Sequence, residues 1–344
     1  MRILHAIRSD AFAGVERHVT RLAAAQAARG DRVAVVGGDP DRMRAVLDEH
    51  GVLTLPAMTV SDVARQVRSA MTGADVVHTH MTAAELGATA AAWAGGRRTL
   101  GVPMVTTRHF ARPRGSGPLR RPTAALARSR VRTQIAISSY VAQHIDGESV
   151  VVYPGVDRQP DGPRSGEREH VVLVVQRLEP EKATDVALRA FAELPAPGWR
   201  LLVAGNGSQR APLEALAARL GIAGSVQFLG ARDDVEALMR RAAVLLAPCP
   251  VEGLGLTVLE AMAAGLPVVA SAAGGHLETI GTVSRDVLFP PGEVGAAATV
   301  LAALTADPAR RDDLADAGLA CQRDGFTLEA QVAATDAVYR GALR

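Results

Sequence analysis

Short apolar runs that stop on polar residues recur along the chain, and a helical segment follows almost every one. In the first half the runs are residues 3–7, 75–80 (DVVHTH), 102–109 (VPMVTTRH) and 133–139 (TQIAISS). In the second half they are 171–178 (VVLVVQRL), 201–205, 226–230 and 244–248. VVLVV is apolar on both faces, as a central strand must be when helices cover both sides of a parallel sheet. Strand–helix alternation with short connections therefore predicts parallel, doubly wound α/β sheets. Such sheets bind ligands beyond the carboxyl ends of their strands, so the polar tips are candidate site positions. A chain of 344 residues exceeds one ordinary core, and two domains are expected. The Pro/Gly/charge-rich stretch 158–169 (RQPDGPRSGERE) reads as the connection between them. The expected partition is 1–157, a linker over 158–169, 170–325, and a final helix, 326–344, that packs back on the first domain. Two facing domains would enclose a cleft.

Composition excludes several classes. Aromatic residues make up only 3% of the chain, too few for a base-stacking nucleic-acid surface. The two cysteines, Cys249 and Cys321, form no CxxC or metal spacing and are expected to be reduced thiols. The opening MRILHAIRSD lacks the pattern of a secretion signal. No apolar run reaches the ~18 residues that span a bilayer. A cytoplasmic protein is expected, and no nucleic-acid partner.

Residues 250–280 concentrate the chemistry. Glu252-Gly253-Leu254-Gly255 forms an acidic, glycine-punctuated loop before a helix expected over 256–264, and Glu260 lies on that helix. A helix N-terminus with bare N–H groups suits an anion, while carboxylates beside it suit hydroxyls. A ligand with both is a nucleotide sugar. The bland alternative is a helix with two exposed glutamates. Against it stand the apolar neighbours of Glu260 and the uncovered backbone of Gly253 and Gly255. A second helix carrying Glu278 is expected after Gly274-Gly275.

Four further strand tips matter. Arg177 and Lys182 straddle a proline turn in QRLEPEK, a cation pair suited to a diphosphate. Gly205-Asn206-Gly207 lacks the third glycine of a dinucleotide fingerprint and reads as a tight turn. Arg232 sits where the chain leaves a strand and backbone groups could read a base edge; Asp233 as a helix N-cap explains that stretch equally well. Gly14, in FAGVERH, leaves backbone open at the end of the first strand. His78, His80 and His109 lie at other tips. Their spacing lacks any HExxH or cysteine partner, so they read as polar lining, not as a metal site, and His78 reads equally as a buried, hydrogen-bonded histidine. His109 is the best placed to meet a reacting group.

Between Leu86 and Ile145 there is no acidic residue but ten arginines: Arg97, Arg98, Arg108, Arg112, Arg114, Arg120, Arg121, Arg128, Arg130 and Arg132. The block suits an anionic membrane face or a phosphorylated acceptor; an ordinary solvated surface is an equal alternative. Residues 112–122 read as a flexible loop.

Stretches along nearly the whole chain resemble the family-4 retaining glycosyltransferases of the GT-B fold. EGLGLTVLEAMAAGLPVVAS resembles their Glu-x7-Glu signature and QRLEPEK their phosphate turn, followed by LLVAGNG, VQFLG and LLAPCPVEG. AGVERHV, TTRHF, ISSYVAQHI and VVYPGVD resemble the family's N-terminal segments. The resemblance implies two Rossmann-like domains, the first binding acceptor and the second a nucleotide-diphosphate sugar, expected to be UDP-linked, with no cofactor and no metal. It implies that Arg177 and Lys182 hold the diphosphate, assisted by backbone around Gly253, Leu254, Gly255 and Leu256 and the turn at Gly205. Glu252 would contact sugar hydroxyls, Glu260 the ribose, Arg232 the base and His109 the sugar, while Gly14 would allow close approach. AGVE replaces the commoner double glycine, which affects how closely the donor approaches at Ala13. The expected acceptor is a small molecule or a lipid-linked glycan, with peripheral contact to an anionic membrane through 97–132. Rival readings are a nucleotide-sugar epimerase or phosphorylase on the same scaffold, or a two-lobed binding protein without chemistry.

Overall fold

The computed structural model describes residues 1–115 and 121–344. The chain divides into two compact units, Met1–Gly155 with Leu328–Arg344, and Val156–Thr327. The first holds a seven-stranded sheet in the order β3-β2-β1-β4-β5-β6-β7. Its strands are β1 (Arg2–Ile7), β2 (Arg32–Val36), β3 (Leu53–Leu55), β4 (Val76–His80), β5 (Met104–Arg108), β6 (Val131–Ala136) and β7 (Val150–Val151). The second holds a six-stranded sheet in the order β10-β9-β8-β11-β12-β13. Its strands are β8 (Val171–Val175), β9 (Arg200–Ala204), β10 (Val226–Gly230), β11 (Val244–Ala247), β12 (Val268–Ser271) and β13 (Leu288–Phe289). Every pairing of these strands is parallel. Both units are therefore doubly wound α/β domains, each with its switch in strand order beside the first strand of the unit.

Each core forms where sheet and helices exchange apolar faces. In the first unit Ile3, Val35, Val76 and Val105 meet Val19 and Ala23 of the helix Gly14–Ala28 and Tyr339 of the last helix, Leu328–Leu343. In the second, Val172, Val174, Leu201, Val203 and Leu246 pack against Leu188, Phe191, Leu213 and Leu301. Caps set the helix starts: the Ser138 hydroxyl accepts from the Val141 N–H at 3.0 Å, and Thr59 with Asp62 forms a capping box.

Local expectations differ from the structure in four places. Residues 158–169 belong to the second unit instead of standing free. Arg168 is 6% exposed, and its guanidinium donates to the carbonyls of Met239, Arg240, Ala242, Ala264 and Gly265, which anchors the segment. Glu278 lies on no α-helix: it follows a 3-10 turn, Gly274–Leu277, and the helix Ile280–Val283 comes after it. Of the expected loop 112–122, residues 116–120 lie outside the described residues, and a helix runs Arg121–Arg128. The cap before the helix Val235–Arg241 is Asp234, not Asp233.

Candidate functional site

The second unit brings Lys182 and Glu252 together. Lys182 ends a 3-10 turn, Pro180–Lys182, beyond the tip of β8. The Gln176 side chain pins that turn by donating to the Lys182 carbonyl at 2.9 Å and to the Thr184 hydroxyl at 2.8 Å. Ala183 then takes a left-handed conformation, φ +50°, a strain of roughly 1–3 kcal/mol for a residue with a Cβ. The Lys182 ammonium donates to Glu252 Oε2 at 2.7 Å, with 19% and 25% of the two side chains exposed. Burial alone would raise the Glu252 carboxyl; the lysine outweighs it and holds the group below its ordinary value. Burial would lower the Lys182 ammonium, and Glu252 outweighs that in turn, holding it above. Both groups are therefore charged at neutral pH.

Glu252 leads into the helix Leu256–Ala263, whose cap Gly255 has φ +92°. A Cβ there would also come to 3.1 Å from His276 Cδ2. His276 is 1% exposed and its Nδ1 lies 3.1 Å from the Ser271 carbonyl. Leu254 is buried at 1% exposure, while Gly253, Leu256 and Glu260 are half-buried. The remaining expected residues sit at neighbouring tips. Arg177 pairs with Glu181 at 2.9 Å, and both are exposed. Gly205 closes β9, where a Cβ would lie 1.9 Å from the Gln176 carbonyl oxygen; close packing of the β8 and β9 tips thus requires glycine there by itself. Arg232 is exposed and held by Asp234 at 2.6 Å.

The first unit holds a different kind of site. His5, His18, His78, His80 and His109 are buried together. His5 and His78 are register partners on β1 and β4. His5 Nε2 lies 2.7 Å from Gln26 Oε1, His5 Nδ1 lies 3.1 Å from His80 Nε2, and His80 Nδ1 lies 3.1 Å from His109 Nε2. His78 is bonded to the Tyr339 hydroxyl at 2.6 Å and to Thr107 Oγ1 at 2.7 Å. Ring nitrogens of His5, His78 and His80, and of His18, His80 and His109, come within 4.8 Å of one another. Both nitrogens of His5, His78 and His80 already have protein partners, so a metal would have to break existing hydrogen bonds. Burial pushes His5 down to about 4 and, helped by Arg108, His109 down to about 3. Burial also holds His18, His78 and His80 well below the ordinary histidine value. The cluster is neutral at pH 7.

His109 also lines a pocket of about 360 Å³ with Met81, Arg108, Phe110, Arg112 and Arg114. Met81, at φ +69°, turns the chain from His80 into the helix Thr82–Ala94. Gly14 starts the helix Gly14–Ala28, and a Cβ on it would meet nothing within 4 Å.

The arginine block is only partly an exposed face. Arg114 forms a two-toothed pair with Glu85 at 2.6 and 2.8 Å, and a further bond to Asp146 at 2.7 Å. Arg108 reaches Asp146 at 3.0 Å. The two carboxylates that bound the acid-free window thus neutralise its buried arginines. Asp146 falls to about 2: burial would raise it, and the bonds from Arg114 and Arg108 outweigh that. Arg130 donates to the Leu100 carbonyl. Arg97, Arg112, Arg128 and Arg132 are exposed. Arg120 and the side chains of Arg98 and Arg121 lie outside what is described.

His5 and Gln26 were not singled out from sequence. The available signal was a lone polar residue in each apolar run, ILHAI and AAAQAA.

Residues 12–159 match the family described as Glycosyltransferase Family 4, and residues 156–320 match Glycosyl transferases group 1. The chain belongs to this glycosyltransferase family. Among similar proteins, the 2-deoxystreptamine glucosyltransferase of Streptomyces kanamyceticus is 38% identical over 143 residues, covering 40% of this chain and 37% of that protein. The D-inositol 3-phosphate glycosyltransferase of Mycobacterium tuberculosis is 42% identical over 144 residues, covering 36% of this chain and 29% of that protein. The chain thus aligns with well under half the length of these relatives. Anabaena HepE, solved in complex with UDP and glucose, is 22% identical with a TM-score of 0.81 over 98% of this chain and 99% of that one. At that identity the likeness shows the fold, GT-B, which this family member shares. No helix among the described residues is long and apolar enough to cross a membrane.

Proposed function

We propose that the chain is a retaining, metal-independent glycosyltransferase that moves a hexose-type sugar from a UDP-linked donor to a hydroxyl of a small-molecule or lipid-linked glycan acceptor. The observation that carries this reading is the Lys182–Glu252 pair at the head of the helix Leu256–Ala263. A lone binding lysine would be partly neutralised by burial; this one is kept charged and fixed in place by its carboxylate partner. Lys182, Arg177 and the helix N-terminus would receive the donor's diphosphate and stabilise it as it leaves. Glu252, relieved of its lysine, would take sugar hydroxyls. Glu260 would take the ribose, and Arg232 would flank the base. The bond from the anomeric carbon to the diphosphate breaks, and the acceptor oxygen forms the new bond with its proton leaving; no side chain is assigned as nucleophile.

The first unit would bind the acceptor, with His109 facing the transferred sugar. The name of the 2-deoxystreptamine glucosyltransferase and the UDP and glucose held by HepE support a glucosyl donor. Work in the cytoplasm at an anionic membrane face is part of the reading, carried by Arg97, Arg112, Arg128 and Arg132; sedimentation with anionic liposomes at low salt tests it, and absence of binding overturns that part.

Thermal-shift measurements with UDP, GDP, ADP and NAD test the donor class. Stabilisation by UDP supports the reading, and stabilisation by NAD alone overturns it. UDP-glucose turnover that survives EDTA supports independence of metal, and turnover abolished by EDTA and restored by a divalent ion overturns it.

A further inference from the structure

The buried histidines of the first unit form a directed chain of hydrogen bonds. An amide oxygen can only accept, so the 2.7 Å contact between Gln26 Oε1 and His5 Nε2 places the His5 proton on Nε2. A neutral imidazole has one proton, so His5 Nδ1 accepts. Its partner at 3.1 Å, His80 Nε2, must then donate. His80 Nδ1 is left as an acceptor, and at 3.1 Å it takes the proton of His109 Nε2. Each ring hands the same tautomer to the next, and the last open atom is His109 Nδ1. That atom has no hydrogen-bond partner among the described residues, and His109 lines the pocket at the tips of β4 and β5. Neutrality is what makes the logic binding, and complete burial of His5 and His80, both at 0% exposure, enforces it. The Gln26 amide is oriented from its other end, where its Nε2 donates to the Tyr339 hydroxyl at 3.4 Å.

We infer that Gln26, His5 and His80 are positioning residues that fix His109 with its proton on Nε2, so that Nδ1 is presented as a hydrogen-bond acceptor for a hydroxyl of the transferred sugar. The inference rests on the reading of His109 as the sugar-facing group, and it sharpens the substrate class. An acceptor nitrogen takes a group that carries a proton, a hydroxyl or an N–H. It repels a carboxylate or phosphate oxygen. The group that meets His109 Nδ1 is thereby a neutral hydroxyl and not an anionic oxygen.

The test reads the tautomer directly. In protein labelled with nitrogen-15 histidine, couplings between ring nitrogens and ring carbon-bound protons show which nitrogen carries the proton; loss of one signal set in His109→Gln assigns it. The wild type is expected to show His109 with bare Nδ1. His5→Phe keeps an aromatic ring and removes the acceptor for His80 Nε2–H. His80 then moves its proton to Nδ1, and His109 inverts to Nδ1–H. UDP-glucose turnover is expected to fall roughly 10- to 100-fold in kcat, the range for loss of an outer partner that orients a histidine. Gln26→Met is the milder break and should give His109 as a mixture of both forms; it carries the test if His5→Phe does not fold. A wild-type His109 protonated on Nδ1, or a His109 tautomer unchanged in both variants, overturns the chain. Inversion of His109 with undiminished UDP-glucose turnover upholds the chain and overturns the reading of His109, so the two failures are told apart.

Discussion

The two halves of the molecule hold their polar groups in opposite ways. In the second unit Lys182 and Glu252 are charged, each about one-fifth to one-quarter exposed, and each keeps the other ionised. In the first unit the histidines from His5 to His109 are buried and neutral, and hydrogen bonds, not charges, order them. Yet both sites are built by the same local device. A non-glycine residue with positive φ opens a helix: Ala183 after the 3-10 turn that ends at Lys182, and Met81 directly after β4. Those are the only two such non-glycine residues among the described residues. The device therefore places side chains; the dielectric around them decides the chemistry. A charged pair can yield to a diphosphate. A neutral relay can only offer a hydrogen bond of fixed polarity.

The largest expected effect separates the halves by acid. Each buried histidine of the first unit has a folded pKa below its ordinary 6.5. Its stabilising contribution is complete above pH 6.5 and is lost as pH falls toward the folded values, about 4 for His5 and about 3 for His109. Within that window each costs up to about 1.4 kcal/mol per pH unit. All five lose stability in the same direction as pH falls below 6.5, so acid acts on the first unit several times over. The second unit has one such histidine, His276. Far-UV ellipticity is expected to fall before the fluorescence of Trp199, buried in the second unit, shifts to the red. Coincident transitions would break the comparison.

The next effect tests whether buried charge in the first unit is as dependent on its partner as the relay is. Glu85→Ala leaves Arg114 buried at 2% side-chain exposure with part of its pairing gone, which costs about 3–5 kcal/mol. Glu214→Ala breaks an exposed pair with Arg210 in the second unit and should change stability by less than about 1 kcal/mol. Urea titration of both variants checks the contrast. Lys182→Ala then tests the second unit at its centre: UDP-glucose turnover should fall roughly 10²- to 10³-fold, the cost of one preorganised group at a developing charge. Turnover equal to wild type would remove the diphosphate from this site.

These differences also explain what could be read from the sequence. The parallel sheets were legible, because strands such as 171–175 and 201–204 are apolar on both faces and their polar tips are short. The strand Leu288–Phe289 was not, since two residues carry no period. Glu252 and Lys182 were each legible from their turns, but their contact was not: 70 residues separate them, and only the adjacency of β8 and β11 joins them. The arginine block misled for the same reason. Glu85 and Asp146 lie at its two ends, and the fold brings both to Arg114. His5 and Gln26 were hidden because a single buried polar residue in an apolar run looks like tolerance until its partners are known.

The smallest expected effect concerns Arg232. If the second unit works by displacing existing ion pairs, every cation there must trade a protein carboxylate for the ligand, and the gain depends on how well that carboxylate already served. Arg232 is tied to Asp234 through two bonds, at 2.6 and 2.7 Å, and is 41% exposed. Exposed pairs of this kind contribute little, so little is gained or lost when a base stacks there instead. Arg232→Ala should therefore weaken UDP binding less than about fivefold by calorimetry. The companion Asp234→Asn, which releases the guanidinium, should leave binding the same or slightly tighter. A loss beyond tenfold in Arg232→Ala would mean that this arginine, and not Lys182 with Glu252, sets the affinity of the second unit.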